Sequence, residues 1–151
     1  MKFVEIKENK KKYIDLLLLG DEQESMVDRY LEHGKMYVLL DSDVKAQCVV
    51  TRESDKIIEI KNISVKPEFQ RMGYAKNLIN FVENEYRDEF EYLQAGTGDG
   101  TQNAKFYEKC GFKKSHIIKN FFTDNYDRPI VENGILLQDM AYFKKCIKNK
   151  D

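Results

Sequence analysis

Residues 67–75 read Pro-Glu-Phe-Gln-Arg-Met-Gly-Tyr-Ala and stand between a β-branched apolar run and an amphipathic one. Gly73 and the small Ala75 let a backbone approach a ligand closely. The first N–H groups of a helix lack an internal acceptor, and the helix dipole favours negative charge there. With Arg71 adding a cation, the strand, the Gln-Arg-x-Gly-x-Ala turn and the helix make a cradle for a pyrophosphate. An ordinary strand-to-helix loop that happens to hold Gly accounts for the same residues, so this segment alone leaves the choice open.

A second glycine-rich run, Gly-Thr-Gly-Asp-Gly-Thr at residues 96–101, also lies between a strand and a helix. A dinucleotide fingerprint needs Gly at its sixth position, where Thr101 stands, and no Walker Lys follows, which disfavours a nucleotide-binding reading. Cys48, Cys110 and Cys146 are odd in number and widely spaced, so neither a disulfide framework nor a zinc site is expected. No other metal site is expected. His33 and His116 are isolated and read as structural or surface residues.

The elements that must carry these residues follow from periodicity. Residues 56–65 read as a strand, but Ile58 and Ile60 occupy even positions while Ile63 and Val65 occupy odd ones. A strand has a period of two, so one residue is extra, and a β-bulge near Lys61-Asn62 accounts for it. A strand that ends early is the other account. Ala75, Leu78, Ile79, Val82 and Tyr86 form one helical stripe. A short strand is expected at 92–95. A helix follows at 101–110, with Thr101 as N-cap and Gly111 as its stop. Before these come a strand at 2–6, helices at 10–19 and 22–33, and strands at 36–40 and 46–51. Residues 112–122 and 135–143 read as the last two strands. Early meander strands followed by alternating strands and helices give an α/β domain with a mixed sheet.

A length of 151 residues fits one domain. Lys and Arg number 25 against 26 Asp and Glu, which lacks the basic excess of a nucleic-acid binder. The longest purely apolar run, residues 16–19, is far short of the ~20 residues of a membrane span. The charged start has no apolar h-region, so it does not read as a signal peptide. The Lys-rich patches at 7–12 and 144–150 read as solvated ends. Neither nucleic acid nor membrane is expected as a partner. A reducing cytoplasm is the expected location.

The chain resembles the GNAT superfamily of acyl-CoA-dependent N-acetyltransferases. Gln70-Arg71-Met72-Gly73-Tyr74-Ala75 fits the family's Q/R-x-x-G-x-G/A signature after a strand. Phe106-Tyr107-Glu108-Lys109-Cys110-Gly111-Phe112 fits its second pattern, a helix ending in Tyr-x-x-x-Gly-Phe. The separation of the two also matches, and the resemblance covers nearly the whole chain, most firmly residues 57–112. It implies one domain over residues 1–151, of α/β (α+β) class. That domain has a mixed, mostly antiparallel sheet of six to seven strands, about four flanking helices and a bulged central strand. It implies acetyl-CoA as cosubstrate and acetyl transfer to a primary amine by direct attack in a ternary complex, in a monomer or homodimer.

The resemblance also assigns roles. Arg71, Gly73, Tyr74, Ala75 and Lys76, with Gln70, would hold the pyrophosphate, while Ile63 and Val65 would pair with the pantetheine through their backbones. The family commonly has Asn seven residues before the Tyr and Ala four before it; here those positions are Gly100 and Asn103. Asn103 lies one turn before Tyr107 on the same helical face and would take over that cofactor contact. An amide freed by the bulge would donate to the thioester oxygen. Tyr107 would protonate the departing sulfur, against its reading as a core aromatic beside Phe106. Glu59 stands eleven residues before Gln70, the spacing of the catalytic Glu in histone-acetylating members. A water relay or an outward-facing surface Glu are its alternatives. Asp124, Asp127 and Glu132 in the 121–134 connection would border the acceptor mouth and suit a cationic amine. A non-catalytic acyl-CoA-binding module, which needs neither Glu59 nor Tyr107, is the competing reading.

Overall fold

The computed structural model describes residues 1–149. Its main sheet has seven strands in the order β1-β2-β3-β4-β5-β9-β6. The strands are β1 (Lys2–Ile6), β2 (Lys35–Asp41), β3 (Asp43–Arg52), β4 (Ile57–Val65), β5 (Tyr92–Gly98), β6 (Lys113–Ile118) and β9 (Met140–Cys146). Every pairing is antiparallel except β4 with β5. The helices are α1 (Ile14–Gly20), α2 (Glu24–Val27), α3 (Tyr74–Tyr86), α4 (Gln102–Lys109) and α5 (Phe121–Asn125), and β7 (Val131–Glu132) with β8 (Ile135–Leu136) forms a separate hairpin.

Two apolar layers sandwich the sheet. On one face Leu78, Ile79 and Val82 of α3, with Ala104 and Tyr107 of α4, pack on Cys48, Val50, Ile58, Ile60, Leu93 and Phe143. Each large aliphatic side chain buried there contributes roughly 1.5–3 kcal/mol. On the other face Leu17, Val27, Tyr30 and Leu31 cover Met36, Val38 and Val49. That second layer covers β1–β3 and, through α1, the bulged part of β4. Over β5, β9 and β6 the same face carries Gln94, Tyr142 and His116 instead.

The parity break in β4 is a bulge. Val49 pairs with Asn62 and Val50 with Ile60, so Lys61 has no partner in β3. The extra residue keeps Ile58, Ile60, Ile63 and Val65 on the α3 face despite their mixed parity.

Elsewhere the periodic reading meets tertiary competition. Residues 10–13 form a 3₁₀ turn ahead of α1. The helix expected at 22–33 is α-helical only at Glu24–Val27. Beyond it the ammonium of Lys10 takes the carbonyls of Leu31 and Gly34 at 2.8 and 2.7 Å, and the chain there closes in tight turns while Tyr30 and Leu31 seat on the sheet. The strand expected at 112–122 stops at Ile118, because Asn120 adopts a left-handed φ of 57° and starts α5. Residues 135–143 divide into β8 and β9, where the Leu137 amide turns aside to bond Ile130 O at 2.8 Å. Gly96 and Gly98 serve packing. A Cβ on Gly96 would meet Met140 Sδ and Tyr142, and one on Gly98 would meet Leu137 and Thr101.

Candidate active site

The β4–β5 pairing extends only from Ile57 opposite Tyr92 to Ile60 opposite Ala95. Past that point β5 stays with β9, while β4, kinked by its bulge, stays with β3. The two central strands therefore part, and a cleft of about 1320 Å³ opens between residues 61–65 and Gly96, Thr97 and Gly98.

One end of the cleft is the loop before α3. Arg71 and Gly73 hold left-handed φ values of 65° and 88°. These two inversions turn the chain sharply, and the amides of residues 71–76 donate to no backbone carbonyl among the described residues. A Cβ on Gly73 would meet nothing within 4 Å, so the space in front of the loop is open. Arg71, Lys76, Lys105 and Lys109 line this end, and the last two, from α4, are cations that the sequence reading missed. Their i, i+4 spacing on one helical face was the available signal. The Tyr74 side chain turns away: its hydroxyl donates to Asp41 at 2.7 Å, pinning α3 to the end of β2, which leaves its amide for the cradle. Gln70 Nε2 reaches back to Val65 O at 3.3 Å and braces the loop against β4. Ala75 packs against the core.

At the parting of the strands, Ile63 and Val65 line the cleft from β4 and Tyr107 lines it from α4. Tyr107 is also packed among Phe106, Phe112 and Phe143, with ring centroids 5.7, 5.3 and 6.2 Å away. Its ring belongs to the core, as the alternative sequence reading has it. Its hydroxyl has no hydrogen-bond partner among the described residues, and burial pushes the phenol above its ordinary pKa. Thr101 caps α4, its hydroxyl oxygen accepting the Ala104 amide at 3.3 Å. Asn103 lines the cleft, but its amide nitrogen donates to Glu132 at 2.8 Å and ties α4 to β7.

Glu59 is not a surface residue; it is 3% exposed. It lies on the face opposite α3, where its carboxylate pairs with Lys61 Nζ at 2.9 Å and accepts a hydrogen bond from Gln94. Burial pushes its pKa above the usual carboxylate range, and Lys61 and Gln94 pull it back only in part. Sequence reasoning missed both partners. Lys61 sits two residues from Glu59, and Gln94 interrupts the apolar pair Leu93 and Ala95 as Glu59 interrupts Ile58 and Ile60. These two interruptions lie directly opposite each other in the parallel pair.

The far end of the cleft lies between α1–α2 and the α5 segment. Asp21, at the end of α1, accepts the hydroxyls of Tyr30 at 2.9 Å and Tyr126 at 2.6 Å, and burial raises its pKa. Two further bonds join the same elements: Arg29 to Asn125 at 3.3 Å, and the Asp127 amide to Gln23 at 2.9 Å. Beneath them Asn62 donates to Leu17 O and Tyr30 Oη, and Ser64 to Leu16 O, so the bulged strand is fixed to α1. The cleft has carboxylates at this end, but mostly not the expected ones. Asp124 and Asp127 are exposed and absent from the walls. Glu132 does line the cleft, joined by Asp21, Glu22, Glu53 and Glu59. The short helix α5 turns Phe122 and Tyr126 inward and leaves the two aspartates in solvent.

Residues 32–114 match the family model described as an acetyltransferase (GNAT) domain. The chain is 36% identical over 130 residues to an uncharacterized N-acetyltransferase, YvbK, of Bacillus subtilis, covering 84% of each. Among solved structures it is similar to a GNAT family acetyltransferase from Elizabethkingia anophelis with acetyl-CoA bound. That likeness has a TM-score of 0.90 and 32% identity over 96% of this chain and 97% of that one. A Bacillus subtilis acetyltransferase in complex with CoA is similar at a TM-score of 0.85 and 31% identity, over 96% and 97% of the two chains.

Proposed function

The chain belongs to the GNAT acetyltransferase family, and from that premise we propose that its cleft moves the acetyl group of acetyl-CoA to a primary amine by direct attack in a ternary complex. The single observation that carries the reading is the parting of β4 and β5, which joins the cationic loop before α3 to the buried carboxylate of Glu59 through one continuous cleft.

The residues present fit the cosubstrate. The amides of residues 71–76 have no backbone acceptor among the described residues, the space at Gly73 is open, and four cations line this end, which suits a pyrophosphate. Ile63 and Val65 offer backbone groups along the bared edge of β4, as the pantetheine chain requires. Acetyl-CoA supplies an activated acyl group with a thiolate leaving group. The chain's own residues supply the rest. Glu59, with its pKa raised by burial, takes a proton from the acceptor ammonium, and the amine so freed attacks the thioester carbonyl. Lys61, left by the bulge without a cross-strand partner, offers its amide to the developing oxyanion, a contact often worth about 3 kcal/mol. Tyr107, fully protonated near neutral pH, donates its hydroxyl proton to the sulfur as the C–S bond breaks. Asn103 supports α4 at the cofactor wall while held by Glu132.

The acceptor is a cationic amine in this reading. Asp21, Glu22, Glu53, Glu59 and Glu132 outnumber Arg29 and Lys61 at the end of the cleft away from the loop before α3. That field concentrates a cation there and weakens with salt. Free-thiol release from acetyl-CoA, measured over a panel of polyamines, aminoglycosides, lysine peptides and acidic amino acids, tests it. The cations should turn over best, with a KM that rises with ionic strength. Saturable binding of acetyl-CoA without amine-dependent thiol release would leave a binding module in its place.

A further inference from the structure

Both oxygens of the Glu59 carboxylate are engaged: Gln94 donates to Oε1, and Lys61 Nζ stands 2.9 Å from Oε2. Each oxygen keeps a second lone pair, but an ammonium held at Oε2 occupies the place and the charge that an arriving acceptor ammonium would need. Gln94 is held directly across the parallel pair and has no alternative acceptor among the described residues. Lys61 has one. Glu53 Oε1 lies 3.5 Å from the same ammonium, and Glu53 is steadied by a hydrogen bond from Thr51 Oγ1 to its other oxygen at 2.7 Å. The lysine side chain is half-buried and flexible, and the bulge places it between the two carboxylates.

We infer that Lys61 is a movable positioning residue: it holds Glu59 in the free enzyme and passes to Glu53 when the acceptor ammonium reaches Glu59. This rests on Glu59 being the base. The exchange swaps one ammonium for another at Oε2, so the buried carboxylate is never left unpaired, a state that would be costly. The charged and titratable groups around Glu59 are Lys61 on its own strand, Glu53 in the β3–β4 turn, Tyr142 on β9 and Tyr107 on α4. Neutral Gln94 and Thr51 face it from β5 and β3. Lys61 is the one cation among them.

Two readouts separate this inference from the assignment of the base. The first is the titration of the Glu59 carboxyl carbon by NMR in the free protein, which needs no substrate. Lys61→Met removes the cation that favours the carboxylate, so the midpoint should rise by about one pH unit, and Lys61→Arg should restore it. An unmoved midpoint in a folded Lys61→Met protein overturns the inference, whatever the activity does. The second is the split between KM and kcat in Glu53→Gln. Removing the second seat should raise the KM for a cationic amine severalfold and leave the KM for acetyl-CoA unchanged, and an unchanged amine KM refutes the transfer to Glu53. Wild-type turnover in Glu59→Gln would instead remove Glu59 as base, a failure visible independently of the titration.

Discussion

The two ends of the cleft are built of different materials. The end at α3 is made of backbone: amides of six consecutive residues, turned by two left-handed φ values, with flexible cations at the rim. The other end is made of side chains drawn from α1, α2, β4, β5, α5 and β7; Glu59 is buried there, and Asp21, Glu59 and Glu132 are each held by side-chain partners. A backbone cradle depends on local conformation, and almost any side chain at its edges leaves it intact. A side-chain site depends on the alignment of many elements, and single substitutions alter it. The contrast suits the two tasks we propose for the ends. A common cosubstrate can be held by groups every residue possesses, whereas an acceptor must be told apart by groups that differ.

The comparison breaks most completely at the cradle. Gly73→Glu should abolish the rise in Tm that acetyl-CoA gives the wild type, since bound ligand stabilises the native state by mass action. The new Cβ would meet no atom, so the loss comes from charge and from forcing φ of 88° on a side chain. Gly73→Ala carries the strain without the charge and should keep part of the shift. An undiminished shift in the Glu variant would take the loop out of the site.

At the parting of the strands the effects should fall on kcat. Tyr107→Phe should cost roughly 10²-fold in kcat with little change in the KM for acetyl-CoA. For the base, the sign follows from burial. Glu59 must be ionised to accept a proton, and its pKa lies above the usual glutamate value. The rate should therefore fall as pH drops through a midpoint above about 4.3. That acidic limb should disappear in Glu59→Gln along with most of the activity.

A smaller effect should distinguish the side-chain end. A Cβ on Gly20 would overlap the Asn62 side chain and crowd Ile63 O at 3.1 Å. Gly20→Ala should lower stability by about 1–3 kcal/mol, several degrees in Tm, as overpacking does. Because Asn62 ties the bulge to α1, the acceptor KM should rise as well, while acetyl-CoA affinity holds. Equal losses on both substrates would show that the two ends are mechanically one.

The smallest effects belong to the α5 segment. Tyr126→Phe removes one hydrogen bond to Asp21, a loss of about 0.5–1.5 kcal/mol, and should raise the acceptor KM severalfold. Asp124→Asn with Asp127→Asn should leave every kinetic constant unchanged, since neither residue lines the cleft. Glu132→Gln should weaken cationic amines alone. A strong effect from the Asp124 and Asp127 pair would return acceptor selection to the surface of the segment.

The sequence by itself determined what depends on short-range order. The parity break between Ile60 and Ile63 pointed to an extra residue, and the bulge at Lys61 is that residue. The turn into α3 at residues 70–75 was legible because its conformation is encoded by its own few residues. Thr101, Gly111 and the stripe along α3 were legible for the same reason. Tertiary structure alone decided the surroundings of Glu59. Gln94 lies 35 positions from Glu59 and meets it only through the parallel β4–β5 pairing, and Asp21 meets Tyr126 across 105 positions. It decided the fate of 112–122 as well. A left-handed Asn120 redirected an apolar run that reads as strand, and the turn carried Tyr126 into the cleft and Asp124 out of it. Periodicity reports which faces are apolar, but it carries no information about which distant polar groups will be brought together. Those contacts are chosen by the packing of the whole sheet, and the end of the cleft away from α3 is made of them.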